Sequence, residues 1–346
     1  MLLDLLDVIL VGPPEFVVSG NEGEPIGVPI YLLMDLLSNT GAAYDLFRME
    51  EFNKAMKELL NDWGGYLKTS DSRKTLTDEP NGWFSQLSIK MLEEGRGIFN
   101  QTYVVFDETA VGRGYDSWDE FFTRRVQPSA RPIIPPAGHQ LVIYNACEST
   151  VDRTAFGVQL HDQFWLKGMA YSLHDIFATK DDVFARQFIN GTVYQAFLSP
   201  QDYHRWHSPI KGTIVDARVV DGSYYAVLPD DGQDGTIDSG GPYGAMIRSQ
   251  PWLTVAAARA IIIIRADSTE IGLVAFIGIG MVEVSSCELL VHENQSVEPG
   301  QEIGMFHFGG SSHAVIFQEK ANVKFTDEIK KGEHIQVNRV IASVNQ

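Results

Sequence analysis

Two short stretches of the chain gather residues able to move protons or attack a carbonyl. The first is Tyr203-His204-Arg205-Trp206-His207, two histidines three residues apart behind the turn signal Ser199-Pro200. Imidazole titrates near neutrality, so either histidine can act as a general base or acid. His-x-x-His could also be a metal pair, but no cysteine or acidic cluster nearby in sequence completes such a site, and no metal is expected. The second stretch is Phe308-Gly309-Gly310-Ser311-Ser312-His313, a Gly-Gly-Ser-Ser corner between two short alternating segments. Glycine supplies positive φ and lets other groups approach the backbone. The corner reads either as the turn of a β-hairpin or as a place where the chain cuts itself.

The elements that must hold these stretches differ between the two parts of the chain. Residues 1–127 read as mainly helical. An apolar run over residues 29–37 precedes the stop at Ser38-Asn39-Thr40-Gly41. Phe52, Met56, Leu59, Leu60 and Trp63 form an amphipathic stripe ended by Gly64-Gly65. Residues 116–125 read as a short helix capped by Asp116 or Ser117, with acids in its first turn and arginines in its last. The proline-rich segment 128–136 marks a domain boundary. Beyond it, residues 128–346 read as strands rich in Val and Ile, at 141–144, 191–198, 212–220, 224–228, 259–265 and 271–284. A helical insert is expected at 172–187, and a Gly- and Asp-dense loop at 230–244. The expected architecture is α+β, a helical N-terminal region on a mostly antiparallel β core.

Composition narrows the function. With 346 residues and 44% hydrophobic content the chain can bury a large core. A net charge of −18 disfavours nucleic acid and anionic membranes as main partners, because both select for Lys and Arg. Two cysteines, Cys147 and Cys287, make no disulfide framework and point to a reducing, cytoplasmic compartment. The apolar start carries Asp4 and Asp7 and no basic region, a poor signal peptide. The run at 271–282 is too short to span a bilayer.

Taken together, the two stretches resemble the phosphatidylserine decarboxylase family of pyruvoyl-dependent enzymes. The signature is a Tyr-His-Arg-x-His segment followed by a Gly-Ser-type corner near the C-terminus. Further matches run from Trp118-Asp119-Glu120-Phe121-Phe122-Thr123-Arg124-Arg125 through Ala130-Arg131-Pro132, Lys167-Gly168 and Tyr171-Ser172-Leu173 to Val297-x-Pro-Gly before the corner. Asn145-Ala146-Cys147-Glu148-Ser149, Ile277-Gly278-x-Gly-Met281 and Met305-Phe306-His307-Phe308 fit best the fungal L-tryptophan decarboxylase branch. This chain starts later than members of that branch, so part of the N-terminal region is expected to be missing.

The resemblance implies a lipoyl-like barrel-sandwich C-terminal part and a self-processing proenzyme. Ser311 would attack the Gly310 carbonyl, and the cut would leave a β chain, 1–310, and an α chain, 311–346, that stay associated. Ser311 would become the covalent pyruvoyl cofactor, which forms a Schiff base with the substrate amine. His207 is the implied base of self-cleavage, and His204 the implied partner of the substrate carboxylate and source of the returning proton. The family's orienting Asp is replaced here by the Ala146-Cys147-Glu148-Ser149 segment. Glu148 is the only carboxylate there, although alignment can also set Cys147 at that position. Trp206 is expected to pack, and His307 and His313 to be incidental. The implied reaction converts L-tryptophan, or another aromatic L-amino acid, to its amine and CO2. The alternative is phosphatidylserine giving phosphatidylethanolamine.

Overall fold

The computed structural model describes residues 2–18, 27–38, 40–136, 138, 140–161, 171–179, 181–228, 249–281, 283, 286–308 and 311–344. The loop expected at 230–244, the Lys167-Gly168 match and the Gly309-Gly310 pair lie outside them.

The N-terminal part is helical. It comprises α1 (Leu2–Leu10), α2 (Pro29–Ser38), α3 (Gly41–Leu46), α4 (Glu50–Leu67), α5 (Gln86–Glu93), α6 (Phe99–Thr102) and α7 (Trp118–Phe122). Helix α4 does not stop at Gly64-Gly65. It runs one turn further because Leu67 is fully buried and the Trp63 indole donates to the Gly12 carbonyl at 3.0 Å. Burying Leu67 outweighs the roughly 1 kcal/mol per glycine lost in helix propensity. Helix α7 starts as expected at Ser117, whose hydroxyl accepts from Glu120 N, while Glu120 reaches back to Asp116 N.

The rest is mostly antiparallel sheet. In chain order the strands are β1 (Leu141–Tyr144), β2 (Ser149–Phe156), β3 (Thr192–Leu198), β4 (Arg205–His207), β5 (Gly212–Val220), β6 (Arg259–Ala266), β7 (Leu273–Gly280) and β8 (Ser286–Leu289). Then follow β9 (Ser296–Val297), β10 (Glu302–His307), β11 (Ser311–Phe317), β12 (Val323–Phe325), β13 (His334–Ile335) and β14 (Val340–Val344). An eight-stranded sheet runs β13-β2-β3-β11-β7-β6-β5-β9, and two three-stranded sheets run β1-β14-β12 and β4-β10-β8. The described pairings leave β13 and β9 as open edges rather than closing a barrel. The helical insert shrinks to α8 (Leu173–Phe177) and a 3-10 turn at Ala185–Phe188, and α9 (Gln250–Ala256) precedes β6. Residues 224–228 form no strand; their buried side chains, among them Tyr225 and Val227, pack as an irregular segment.

Side-chain alternation in the large sheet divides the molecule into layers. Ile261, Ile263, Ala275, Ile277, Ala314 and Ile316 face the N-terminal helices in one continuous core. Ile262, Ile264, Val274, Phe276, Val315 and Phe317 face the two small sheets in a second. A fully buried sheet needs apolar residues on both faces, and the near-continuous Val/Ile runs reflect that.

Candidate active site

Strands β10 and β11 do not form the hairpin that the Gly-Gly-Ser-Ser corner suggested. β10 pairs with β4 and β8, whereas β11 lies in the centre of the large sheet between β3 and β7. The corner therefore carries the chain from one layer to another. Phe308, the last described residue before it, has φ +29°, a conformation a bulky side chain rarely adopts. Its ring is held edge-on by Trp63 of α4, centroids 4.5 Å apart, and by Trp118 of α7 at 4.9 Å. Ser311 opens β11 opposite Leu198 and Gly280, and its side chain is fully buried.

The histidine segment is fixed from both parts of the chain. Asp202 accepts from Arg96 Nε at 2.6 Å, from His334 Nε2 at 3.0 Å and from Ser199 N at 2.7 Å. Arg124, just after α7, donates to the carbonyls of Gln201 and Asp202 at 2.6 and 3.1 Å. Burial alone would push the Asp202 carboxyl up, but the charges and hydrogen bonds of Arg96 and His334 hold it well below the usual range.

This frame brings His204 Nδ1 to 3.3 Å from Ser311 Oγ. The His204 ring lies face to face with Phe122, centroids 3.9 Å apart. Burial lowers its pKa to about 3 against the opposing charge of Asp202, so the ring is neutral at pH 7. His207 is also buried and lowered, to about 4, with the charge of Glu302 opposing. Its Nε2 lies 2.8 Å from the Tyr203 hydroxyl, and its backbone N donates to Ala146. Ser311 thus has His204, and not His207, as its hydrogen-bond partner.

Glu148, expected to orient His207, is fully buried and forks onto Arg131, with Nε to Oε2 at 2.7 Å and Nη2 to Oε1 at 2.6 Å. It also accepts from Val337 N at 3.4 Å, and among the described residues no hydrogen bond joins it to a histidine. The carboxylate that faces His207 is Glu302, its cross-strand neighbour, which also pairs with Arg205 at 3.0 Å. Burial pushes the Cys147 thiol well up, so it offers no anion in the place of a carboxylate.

Trp206 packs, as expected. Its indole lies between Gly304 of β10 and Gly278 of β7, where a Cβ would meet ring carbons at 2.4 and 2.9 Å. His307, expected to be incidental to the chemistry, ties two elements together. It bridges Asp119 of α7 at 2.9 Å and Glu288 of β8 at 2.7 Å. His313 is buried and lies 3.0 Å from Ser149 Oγ. Sequence reasoning missed Arg96, Asp202 and Glu302 as members of the site. Asp202 carried a signal, since it directly precedes Tyr203-His204, whereas nothing along the chain ties Arg96 to it.

Two family models described as phosphatidylserine decarboxylase match the chain, one over residues 118–343 and one over residues 1–92. Decarboxylase iboD of Amanita muscaria is 49% identical, over 99% of this chain and 100% of that protein. L-tryptophan decarboxylase of Psilocybe cyanescens is 35% identical, over 93% of this chain and 75% of its own length. Phosphatidylserine decarboxylase proenzyme 3 of Schizosaccharomyces pombe is 27% identical, over 66% and 21%. The chain belongs to the phosphatidylserine decarboxylase family, and it is a decarboxylase. Pyruvoyl dependence is typical of that family. Among the described residues no helix is long and apolar enough to cross a membrane.

Proposed function

We propose that the chain is a self-processing proenzyme that decarboxylates a free amino acid, with L-tryptophan as substrate and tryptamine and CO2 as products. The observation that carries this reading is the buried contact between Ser311 Oγ and His204 Nδ1 at the head of a central strand. A serine hydroxyl needs a neutral base in reach, and burial keeps both His204 and His207 neutral at pH 7.

In self-cleavage the Ser311 hydroxyl attacks the Gly310 carbonyl, giving up its proton to a histidine, and the Gly310–Ser311 amide becomes an ester. Loss of the Gly310 carboxylate leaves dehydroalanine at position 311, and hydrolysis to the pyruvoyl group releases ammonia. The base is His207 by its place in the motif, with His204 as its rival. The residues fit a pyruvoyl group at 311: the position is dry, has glycine (Gly280) as its partner on the β7 side and Leu198 on the β3 side, and has an imidazole beside it. The α chain, 311–346, would stay bound, because β11 is laddered on both sides and β12, β13 and β14 pair within the sheets.

A pyruvoyl group at position 311 would supply an electrophilic carbonyl for the substrate amine and a sink for the electron pair left by CO2. The remaining tasks fall to this chain's side chains. A substrate carboxylate beside His204 favours the charged ring, so the imidazole takes up a solvent proton as substrate binds and returns it at the α carbon, its ring plane fixed by Phe122. Trp63, Trp118 and Phe308 exclude water, which removes hydration from the carboxylate. Glu148 with Arg131 holds the Ala146–Ser149 segment against the backbone of His207.

The relative named L-tryptophan decarboxylase supports the substrate, and a net charge of −18 argues against docking on an anionic lipid surface. A free amino acid also suits a cytoplasmic enzyme. The alternative, phosphatidylserine, draws on the family models. Intact mass of the purified protein should give two chains divided at 310/311, and Ser311→Ala a single one. An undivided wild-type chain overturns the reading. Processed protein should release CO2 fastest from L-tryptophan in a panel with other aromatic, acidic and aliphatic amino acids and phosphatidylserine vesicles; turnover of the lipid alone reverses the substrate assignment.

A further inference from the structure

Away from this site, three metal-type ligands converge near the end of β2. His161 follows the bridge between Gln159 and Ser172, His174 lies in α8, and Asp182 precedes the 3-10 turn at Ala185–Phe188. His174 Nδ1 is 2.7 Å from Asp182 Oδ1, and the two imidazole rings lie with centroids 4.8 Å apart. One ligand atom from each of the three residues falls within 4.8 Å of the other two. Asp182 is buried and held in a left-handed conformation, φ +53°, whereas His161 is exposed. Neither histidine is among the residues gathered around Ser311 above.

We infer that His161, His174 and Asp182 bind one divalent transition-metal ion of the Zn2+ type. Two imidazoles and a carboxylate suit a borderline cation, whereas Mg2+ and Ca2+ select all-oxygen sites. Ligand atoms around tetrahedral Zn2+ lie about 3.3 Å apart, given bonds of about 2.0–2.1 Å. The exposed His161 side chain is free to turn inward and close the remaining distance, and the hydrogen bond between His174 and Asp182 opens as the ion enters. Water reaches the open side and supplies the fourth ligand. Arg186 competes only weakly for Asp182, since its Nη2 is 4.0 Å away and its side chain largely exposed. The bound ion would tie the end of β2 to α8. Tyr171, just before α8, hydrogen-bonds Gln195, whose amide reaches Ser312 Oγ at 3.5 Å.

The full chain, stripped with a chelator, is titrated with Zn2+ and separately with Mg2+ by calorimetry, and its thermal midpoint is read with and without Zn2+. One Zn2+ should bind per chain and raise the midpoint, Mg2+ should bind at least 10-fold more weakly, and His161→Ala and Asp182→Asn should each weaken Zn2+ at least 10-fold. His161 is exposed, so its replacement leaves the fold intact and decides the matter if Asp182→Asn does not fold. No Zn2+ binding by the wild type, equal affinity in His161→Ala, or Mg2+ binding as tightly as Zn2+ would overturn the inference.

Discussion

Arg131 and Glu148 form a buried, two-pronged ion pair that ties the proline-rich connection to the turn before β2. Removing one partner strands the other charge in a dry site, which costs roughly 3–5 kcal/mol. Arg131→Ala should therefore lose most of its stability in urea unfolding. Arg131→Lys, which keeps the charge but not the fork, should lose less. An Arg131→Ala protein as stable as wild type would show that the pair is dispensable.

The two histidines of the Tyr203–His207 segment are separable. His207→Ala should leave the chain uncut, whereas His204→Ala should yield two chains that do not release CO2. Loss of a general acid or base lowers the rate about 10²–10⁴-fold. Intact mass and a CO2 assay on each variant read the two steps apart. The reverse pattern would assign the hydroxyl proton to His204, as its 3.3 Å contact with Ser311 allows.

His307 links pH to the corner. Burial opposes its charge, but hydrogen bonds to Asp119 and Glu288 raise its pKa above the ordinary histidine value, with Lys68 opposing. A group whose folded pKa is raised stabilises fully below its unfolded value and loses that contribution as pH rises through the folded one. The melting-temperature gap between wild type and His307→Gln should thus be widest near pH 6 and shrink toward pH 9. A gap that widens with pH would contradict the bridge.

Gly304 and Gly278 are the two walls of the Trp206 slot. A methyl group on Gly304 would press on the indole at 2.4 Å and on the Glu288 carbonyl at 2.6 Å. Overpacking of this kind costs about 1–3 kcal/mol. Gly304→Ala should lower the melting temperature and slow self-cleavage, because Trp206 sits between His204 and His207 in sequence. Gly304→Ala combined with Trp206→Phe should recover part of the loss; no recovery would place the strain elsewhere.

Local chemistry alone determined a good deal of this protein. The cap at Ser117, the Val/Ile runs that became β5, β6 and β7, and the two chemical stretches were all legible, because capping, alternation and residue type act over a few positions. Tertiary packing decided the rest. It carried α4 through Gly64-Gly65 to bury Leu67, and it split β10 and β11 between two layers instead of folding them into a hairpin. It also gave Glu148 to Arg131, gave His204 to Ser311, and held the segment before Tyr203 with Arg96. Those pairings join residues 17, 107 and 106 positions apart, and only the juxtaposition of layers selects among several equally suitable partners.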